Sequence, residues 1–367
     1  MVTGGVDASG RERVVPALLW LVERLARRHE LHVFALHYYR EPRTYPLAGA
    51  TIHDLGRVDG PPGMRRLRIR SRLMRALRAC GPFDLVHAYL GMPGVVATSA
   101  GRRLGVPAVV TLDSGELVAL DDIGYGLQRR WIDRRSIAGA IRNAARVTVS
   151  TAWMAAMPAL GRQDIDVVPI GVDPKWFPLA SRADGPPWRL LHVGSINRVK
   201  DYPTLLGALA RLHARRLEVH LEIVGADTLN GRIQALGREL GVADLITFHG
   251  FQPTDALSAF YARAHVHVVS SRHEAANVAT LEAASCGVPT VGTAVGYAAD
   301  WSADGRAVAV PVGDGDALAS AIVDLVQDRP RRERIAAAAR EWTLAHDADW
   351  TSARFERIYS EVTKRSD

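Results

Sequence analysis

Residues 270–296 read SSRHEAANVATLEAASCGVPTVGTAVG, and the fold follows from how this stretch is parsed. The apolar run VHVVS (266–270) leads into it, and a second run, PTVGT (289–293), lies near its end. Between them the spacing predicts a helix that stops at Gly287, with Pro289 opening the next strand. Strand, helix, strand is the repeating unit of a parallel sheet. Glu274 stands just before the helix, and Glu282 lies one to two turns inside it. The two carboxylates offer acceptors to the hydroxyls of a sugar nucleotide, with the helix N-terminus placed for its phosphates. On spacing alone, a surface helix with two solvated glutamates is the better explanation. The surrounding sequence decides against it.

Working outward, the same alternation fills the chain twice. The later half has RLLHV (189–193), EVHLEIV (218–224), LITFHG (245–250), VHVVS (266–270), PTVGT (289–293) and AVAV (307–310) as strand candidates. The earlier half has LHVFAL (31–36), DLVHA (84–88), AVVTL (108–112), RVTVS (146–150) and IDVVP (165–169). Helical stretches lie between them, such as VVPALLWLVERLARRH (14–29), whose apolar residues recur three and four apart. Apolar strands alternating with helices predict parallel sheets covered on both faces. The polar, turn-rich SRADGPPW (181–188) separates the two series. The expected fold class is α/β, with two Rossmann-like domains facing a cleft. Ligands in such sheets bind at the carboxyl ends of the strands. The last segment reads as helix, with Trp350, Phe355, Ile358 and Tyr359 on one side.

Composition narrows the functions. At 367 residues and 48% hydrophobic, the chain suits two domains with substantial cores. Cys80 and Cys286 are its only cysteines, so no disulfide framework is expected. No apolar run reaches transmembrane length and no signal-peptide h-region is visible, which together suggest a cytoplasmic protein. The net charge of +7 favours anionic partners. Much of it comes from MRRLRIRSRLMRALR (64–78), where Met64, Leu67, Leu73, Met74 and Leu77 form an apolar side. This segment is either an amphipathic helix of a soluble domain or a site of peripheral contact with an anionic membrane. Nucleic acid is not an expected partner, since no zinc spacing or RNA-binding motif accompanies the basic run.

Gly4 and Gly5 suit a strand, glycine loop and helix, yet only Met1 to Thr3 precede them. A central buried strand usually needs about five or six residues. The expectation is therefore that the natural chain starts upstream and that the first strand is truncated.

Taken in order, the motifs resemble the family-4-like retaining glycosyltransferases of group 1, which have the GT-B fold. Gly4-Gly5, DLVHAY (84–89), GVPAVVTL (105–112) and VVPIGVD (167–173) match the first half of that family. LLHVGSINRVKDYPTLLGALARL (190–212), EIVGAD (222–227), FHGF (248–251), Glu274-x7-Glu282 and GDGDALASAIVDLV (313–326) match the second. The resemblance covers nearly the whole chain. It implies an acceptor-side domain at 1–178, a nucleotide-sugar-binding domain at 179–342, and a C-terminal helix at 343–367 packing back on the first. It also implies roles: Glu282 on the ribose hydroxyls, Glu274 on the donor sugar, Asn277 and Val278 offering backbone N–H groups, and Lys200 neutralising the diphosphate. Gly4, Gly5, Gly194, Ser195 and Phe251 complete the implied binding set.

Three positions depart from the family pattern. Ser195 stands where arginine is usual, with Arg198 nearby as a substitute cation. Ala275-Ala276-Asn277 replaces an aromatic-glycine pair, and Asp113 in TLDSGEL (111–117) stands where histidine is common. Asp113 and Glu116 are each either acceptor contacts or structural turn and capping carboxylates. The implied reaction is transfer from a UDP-sugar or GDP-sugar to a sugar, lipid-linked or small-molecule acceptor, with retention. It proceeds by front-face attack and needs no side-chain base. No cofactor and no metal are expected: Asp164-x-Asp166, Asp314-x-Asp316 and Asp347-x-Asp349 read as turn or surface aspartates. His87 reads as a packed strand histidine. The competing functions are a nucleotide-sugar epimerase of the same fold and a non-catalytic nucleotide-binding relative.

Overall fold

A computed structural model describes residues 1–4, 7–10, 15–36 and 38–364, with Pro62 described by its backbone alone. The chain divides into two compact units, Met1–Ile170 with Ala348–Asp367, and Gly171–Asp347.

In the first unit the elements run β1 (Val2–Thr3), α1 (Pro16–Ala26), β2 (His32–Ala35), β3 (Arg43–Leu47), β4 (Ala50–Asp54), α2 (Pro62–Cys80), β5 (Val86–Tyr89), α3 (Gly91–Leu104), β6 (Ala108–Leu112), α4 (Trp131–Asn143), β7 (Arg146–Val149), α5 (Ala152–Ala155) and β8 (Ile165–Val167). Their strands form one sheet in the order β3-β4-β2-β1-β5-β6-β7-β8. Every pair is parallel except β3 with β4. The short β1 is central: Val2 pairs with Phe34 on one side and Ala88 on the other. Val2, Phe34, Leu73, Leu77, Val86 and Ala97 form the core beneath α2 and α3. Each such buried side chain is worth roughly 1.5–3 kcal/mol.

The second unit continues with β9 (Trp188–Val193), α6 (Tyr202–Ala214), β10 (Val219–Val224), α7 (Arg232–Glu239), β11 (Ile246–Phe248), α8 (Thr254–Arg263), β12 (Val266–Val269), α9 (Val278–Ser285), β13 (Thr290–Thr293), α10 (Gly296–Ala303), β14 (Val308–Val310), α11 (Gly315–Gln327) and α12 (Arg329–Ala345). Its six strands are all parallel, in the order β11-β10-β9-β12-β13-β14. This is the doubly wound dinucleotide-binding order, with the reversal between β9 and β12. Leu190, Leu221, Ile223, Val266, Val268 and Val291 are the buried strand residues of its core. The last helix, α13 (Ala348–Thr363), belongs to the first unit and packs on α1, burying Phe355 and Ile358. Arg24 of α1 donates to Asp349 at 2.7 Å.

Three expectations change. The hairpin β3–β4 has no counterpart among the strands read from sequence. Its edge strand β3 contains Pro46 and is largely exposed, so it lacks the apolar run of a buried strand. Helix α1 begins at Pro16 rather than directly after Gly4-Gly5, and Gly5 lies outside the described residues. Finally, the apolar side of α2 splits along its length. Leu73, Met74 and Leu77 are buried, whereas Met64 and Leu67 are exposed.

Candidate functional site

The sequence-predicted residues Lys200, Glu274 and Asn277 sit on the loops that follow β9 and β12, the adjacent strands at the reversal of the second sheet. At such a point the two loops leave in opposite directions, and backbone and side-chain groups converge on the gap.

The first loop is built on backbone bonds. Gly194 N–H donates to the Val224 carbonyl and Ile196 N–H to that of Ala226, each at 2.8 Å, so the loop stays attached to the end of β10. Gly225, at φ +152°, lies so close that any Cβ there would overlap the Gly194 carbonyl. The Asn197 side chain accepts from the N–H groups of Val199 (3.1 Å) and Lys200 (3.2 Å), capping the single turn Arg198–Lys200. That cap aims the Lys200 side chain.

The second loop is tied to the first. Ser270 Oγ donates to the Lys200 carbonyl at 2.7 Å, and Arg272 N–H to the Val199 carbonyl at 2.8 Å. Lys200 Nζ then reaches Glu274 Oε1 at 2.6 Å, with both side chains largely buried. Ser271 Oγ donates to the same oxygen, and Thr293 Oγ1 holds the Ser271 carbonyl at 2.6 Å. Gly296, at φ +53°, passes under Glu274: a Cβ there would stand 3.0 Å from Glu274 Cβ and 2.9 Å from the Ala276 carbonyl. Beneath the pair lies His192, whose Nδ1 donates to the Val268 carbonyl at 2.8 Å. Burial, then the Lys200 charge, pushes its pKa down to about 4, so it adds no positive charge at neutral pH.

Asn277 caps α9 in a left-handed conformation (φ +71°), and Val278 is the first helical residue. The first N–H groups of a helix have no intrahelical partner and form an anion site. Glu282 follows on α9, 4% exposed, and accepts from Tyr261 Oη of α8 at 2.7 Å. Burial pushes its pKa up to about 7, and the Tyr261 bond opposes that shift. Tyr261, Ser271, Asn197 and Gly296 are the supporting residues that sequence reasoning did not single out. Only Asn197 carries a local signal, an asparagine three residues before the lysine.

Other predicted residues are more dispersed. Ser195 and Arg198 are exposed, and Arg198 has no ion pair among the described residues. Phe251 is 52% exposed in the turn after β11, the far edge of the sheet. In the first unit, Gly4 follows β1 and Asp113 stands half-buried at the carboxyl end of β6. Glu116 takes the structural alternative. It is buried, its Oε1 accepts from Gly91 N–H at the start of α3, and its Oε2 accepts from Ser114 N–H, both at 2.8 Å. His87 is likewise packed, between Tyr359 Oη (2.6 Å) and Thr111 Oγ1 (2.7 Å), with burial pushing its pKa down to about 3. The paired aspartates are engaged elsewhere: Asp164 with Arg162, Asp166 with Arg354, Asp316 with Arg211, Asp349 with Arg24, and Asp314 as the cap of α11.

Comparison with known proteins bears on the fold. The sequence pattern of the glycosyl transferases group 1 matches residues 179–342, and that of Glycosyltransferase Family 4 matches residues 17–176. A D-inositol 3-phosphate glycosyltransferase of Stackebrandtia nassauensis is 30% identical over 94% of this chain and 86% of its own length. Among solved structures, sucrose-phosphate synthase from Thermosynechococcus elongatus superposes with a TM-score of 0.81 at 21% identity, over 94% of this chain and 92% of that one. HepE of Anabaena, solved in complex with UDP-glucose, gives 0.76 at 17% identity, over 98% and 99%. These likenesses establish the GT-B fold.

Proposed function

This chain belongs to the group 1 glycosyltransferases, enzymes that use nucleotide sugars, and on that premise we propose that it transfers the sugar with retention of configuration and without a metal ion. The observation that carries the proposal is the Lys200–Glu274 pair at the reversal of the second sheet, beside the N-terminus of α9.

The donor's diphosphate takes the place beside Lys200 and the first N–H groups of α9. Both oppose the charge that grows on the departing phosphate, and they do so from positions fixed before the donor arrives. Glu274 turns from the ammonium to the hydroxyls of the donor sugar. Glu282 accepts from the vicinal ribose hydroxyls, for which a carboxylate has enough lone pairs to serve both. The leaving phosphate oxygen takes the acceptor proton, so no side-chain base is required on the attacking face. A fixed ammonium at the diphosphate supplies the charge that a metal would otherwise bring. The exposed Arg198 is a second cation for the donor, and Asp113 the carboxylate placed for the acceptor.

The relatives' name makes a D-inositol phosphate the first acceptor to try, and HepE's ligand makes UDP-glucose a first donor. A lipid-linked acceptor fits α2, whose exposed Met64 and Leu67 are flanked by the exposed Arg65 and Arg68. This supports peripheral contact with an anionic membrane through residues 64–78, at the inner face of a cytoplasmic membrane. No helix among the described residues is long and apolar enough to cross one.

The test is product analysis with UDP- and GDP-sugars over an acceptor panel in the presence of EDTA. The account expects a product with the donor's anomeric configuration. An inverted product, an activity that requires added Mg2+ or Mn2+, or a free epimerised nucleotide sugar overturns it.

A further inference from the structure

Away from the sugar-nucleotide loops, the first unit brings together side chains that the transfer reaction does not use. Among the described residues, His32, His53 and Cys80 form the one group of three ligand-type side chains whose donor atoms all lie within 4.8 Å of one another. His32 opens β2, His53 is on the neighbouring β4, and Cys80 ends α2. His32 Nδ1 and His53 Nε2 face each other at 2.9 Å, and Cys80 Sγ is 3.8 Å from the same His53 nitrogen. The two imidazoles lie parallel, 5.1 Å apart, with Phe34 stacked on His53 and the edge of Phe83 against His32.

We propose that His32 Nδ1, His53 Nε2 and Cys80 Sγ form a zinc site that ties β2, β4 and the end of α2 together.

The geometry is close to what the ion requires. Zn–N bonds of 2.0–2.1 Å and a Zn–S bond of 2.3 Å at tetrahedral angles put the nitrogens about 3.3 Å apart and a nitrogen and sulfur about 3.6 Å apart. The His pair need open, and Cys80 Sγ close on His53 Nε2, only by a few tenths of an ångström, and the remaining His32–Cys80 separation lies within 4.8 Å. The outer ring nitrogens are already held. His32 Nε2 lies 3.2 Å from Glu30 Oε1, and His53 Nδ1 lies 3.2 Å from Thr44 Oγ1. Those partners favour the tautomers that leave both inner lone pairs free for the metal, as the outer shell of a zinc site does. In the unbound pair one inner nitrogen carries the proton of their 2.9 Å hydrogen bond; on binding, that ring shifts its proton to its outer nitrogen by exchange with solvent, and Cys80 releases its thiol proton to solvent. A thiolate with two imidazoles suits Zn2+ over the hard cations Mg2+ and Ca2+.

The site has a defined mouth. His32 and Cys80 line a cavity of about 870 Å³ in the first unit, which gives the ion an entry path and room for water as a fourth ligand. It also lies at the amino end of β2, whereas ligands of such sheets meet the carboxyl ends of strands. The role is therefore structural, and it stands or falls independently of the transfer reaction.

Cobalt(II) is the probe, added to the full chain after reduction and dialysis against chelator. The expected result is one Co2+ per chain with an intense thiolate-to-cobalt charge-transfer band, lost on addition of Zn2+. The band reports on Cys80 because the only other cysteine, Cys286, is buried with its thiol pushed up to about 12. Cys80→Ser removes the band, and His53→Gln weakens Co2+ binding at least tenfold while keeping the thiol. Zn2+ raises the thermal midpoint of the wild-type chain but not of Cys80→Ser. The proposal is overturned if the wild-type chain shows no charge-transfer band, or if the band and the zinc-induced shift survive Cys80→Ser.

Discussion

Glu274 and Glu282 lie eight residues apart, yet they occupy opposite electrostatic settings. Glu274 stands on a loop with an ammonium at 2.6 Å and a hydroxyl on the same oxygen. Glu282 is inside a helix, with a phenol as its hydrogen-bond partner and burial strong enough to push its pKa up to about 7. The first is paired with a cation that, in the proposed reaction, is shared with the donor's phosphates. The second is near its titration midpoint at neutral pH, with the Tyr261 hydroxyl favouring the ionised form against burial. Under the proposed assignments, the first serves the donor sugar beside the leaving group and the second holds the nucleotide.

Removing the cation should separate the two most sharply. Lys200→Ala is expected to lower kcat by roughly 2–4 kcal/mol of transition-state stabilisation, about 30- to 1000-fold. Nucleotide affinity should change far less. Steady-state kinetics beside calorimetric UDP or GDP binding checks this. Equal losses in kcat and affinity would place Lys200 in ground-state binding alone.

Glu282 should show the reverse and carry a pH signature. Glu282→Ala is expected to weaken nucleotide-sugar binding by about 1.5–3 kcal/mol, with a smaller effect on kcat at saturation. For the wild type, the carboxyl must release its proton to accept from both hydroxyls. Affinity for the nucleotide sugar should then rise about tenfold per unit up to roughly pH 7 and level off above it. The ligand-free stability runs the other way. A raised pKa favours the neutral form, so that contribution is complete below about 4.5 and is lost as pH rises through about 7. Glu282→Gln should flatten both profiles. A wild-type affinity independent of pH between 5.5 and 8 would contradict the ribose assignment.

The smallest effect is expected at Tyr261. Its hydroxyl stabilises the ionised Glu282, so Tyr261→Phe should shift the affinity midpoint to higher pH and weaken binding at pH 7 by roughly 1 kcal/mol. A midpoint that stays put would show that the phenol only fills space.

The second sheet was readable because buried parallel strands are written as apolar runs. RLLHV, EVHLEIV and PTVGT each sit within a residue or so of β9, β10 and β13. The loops around Lys200 and Glu274 were readable because they follow such runs. The pairing of those two side chains, 74 positions apart, depends on which strands are neighbours, and local sequence carries no trace of that. The same holds for Tyr261 and Glu282, which meet only because α8 and α9 face each other. The β3–β4 hairpin escaped detection because an edge strand with a proline and exposed side chains has no reason to be apolar. His32, His53 and Cys80 follow no metal-site spacing. They are joined by strand register and by where α2 ends.

The central claim, that Lys200, Glu274 and Glu282 together hold a nucleotide-sugar donor, is tested most directly by thermal shift with UDP- and GDP-sugars on the wild type and on Glu282→Ala. A donor at about 100 times its dissociation constant should stabilise the wild type by about 2.7 kcal/mol, and the variant far less at the same concentration. No shift with any nucleotide sugar, or an equal shift in both proteins, would contradict the account.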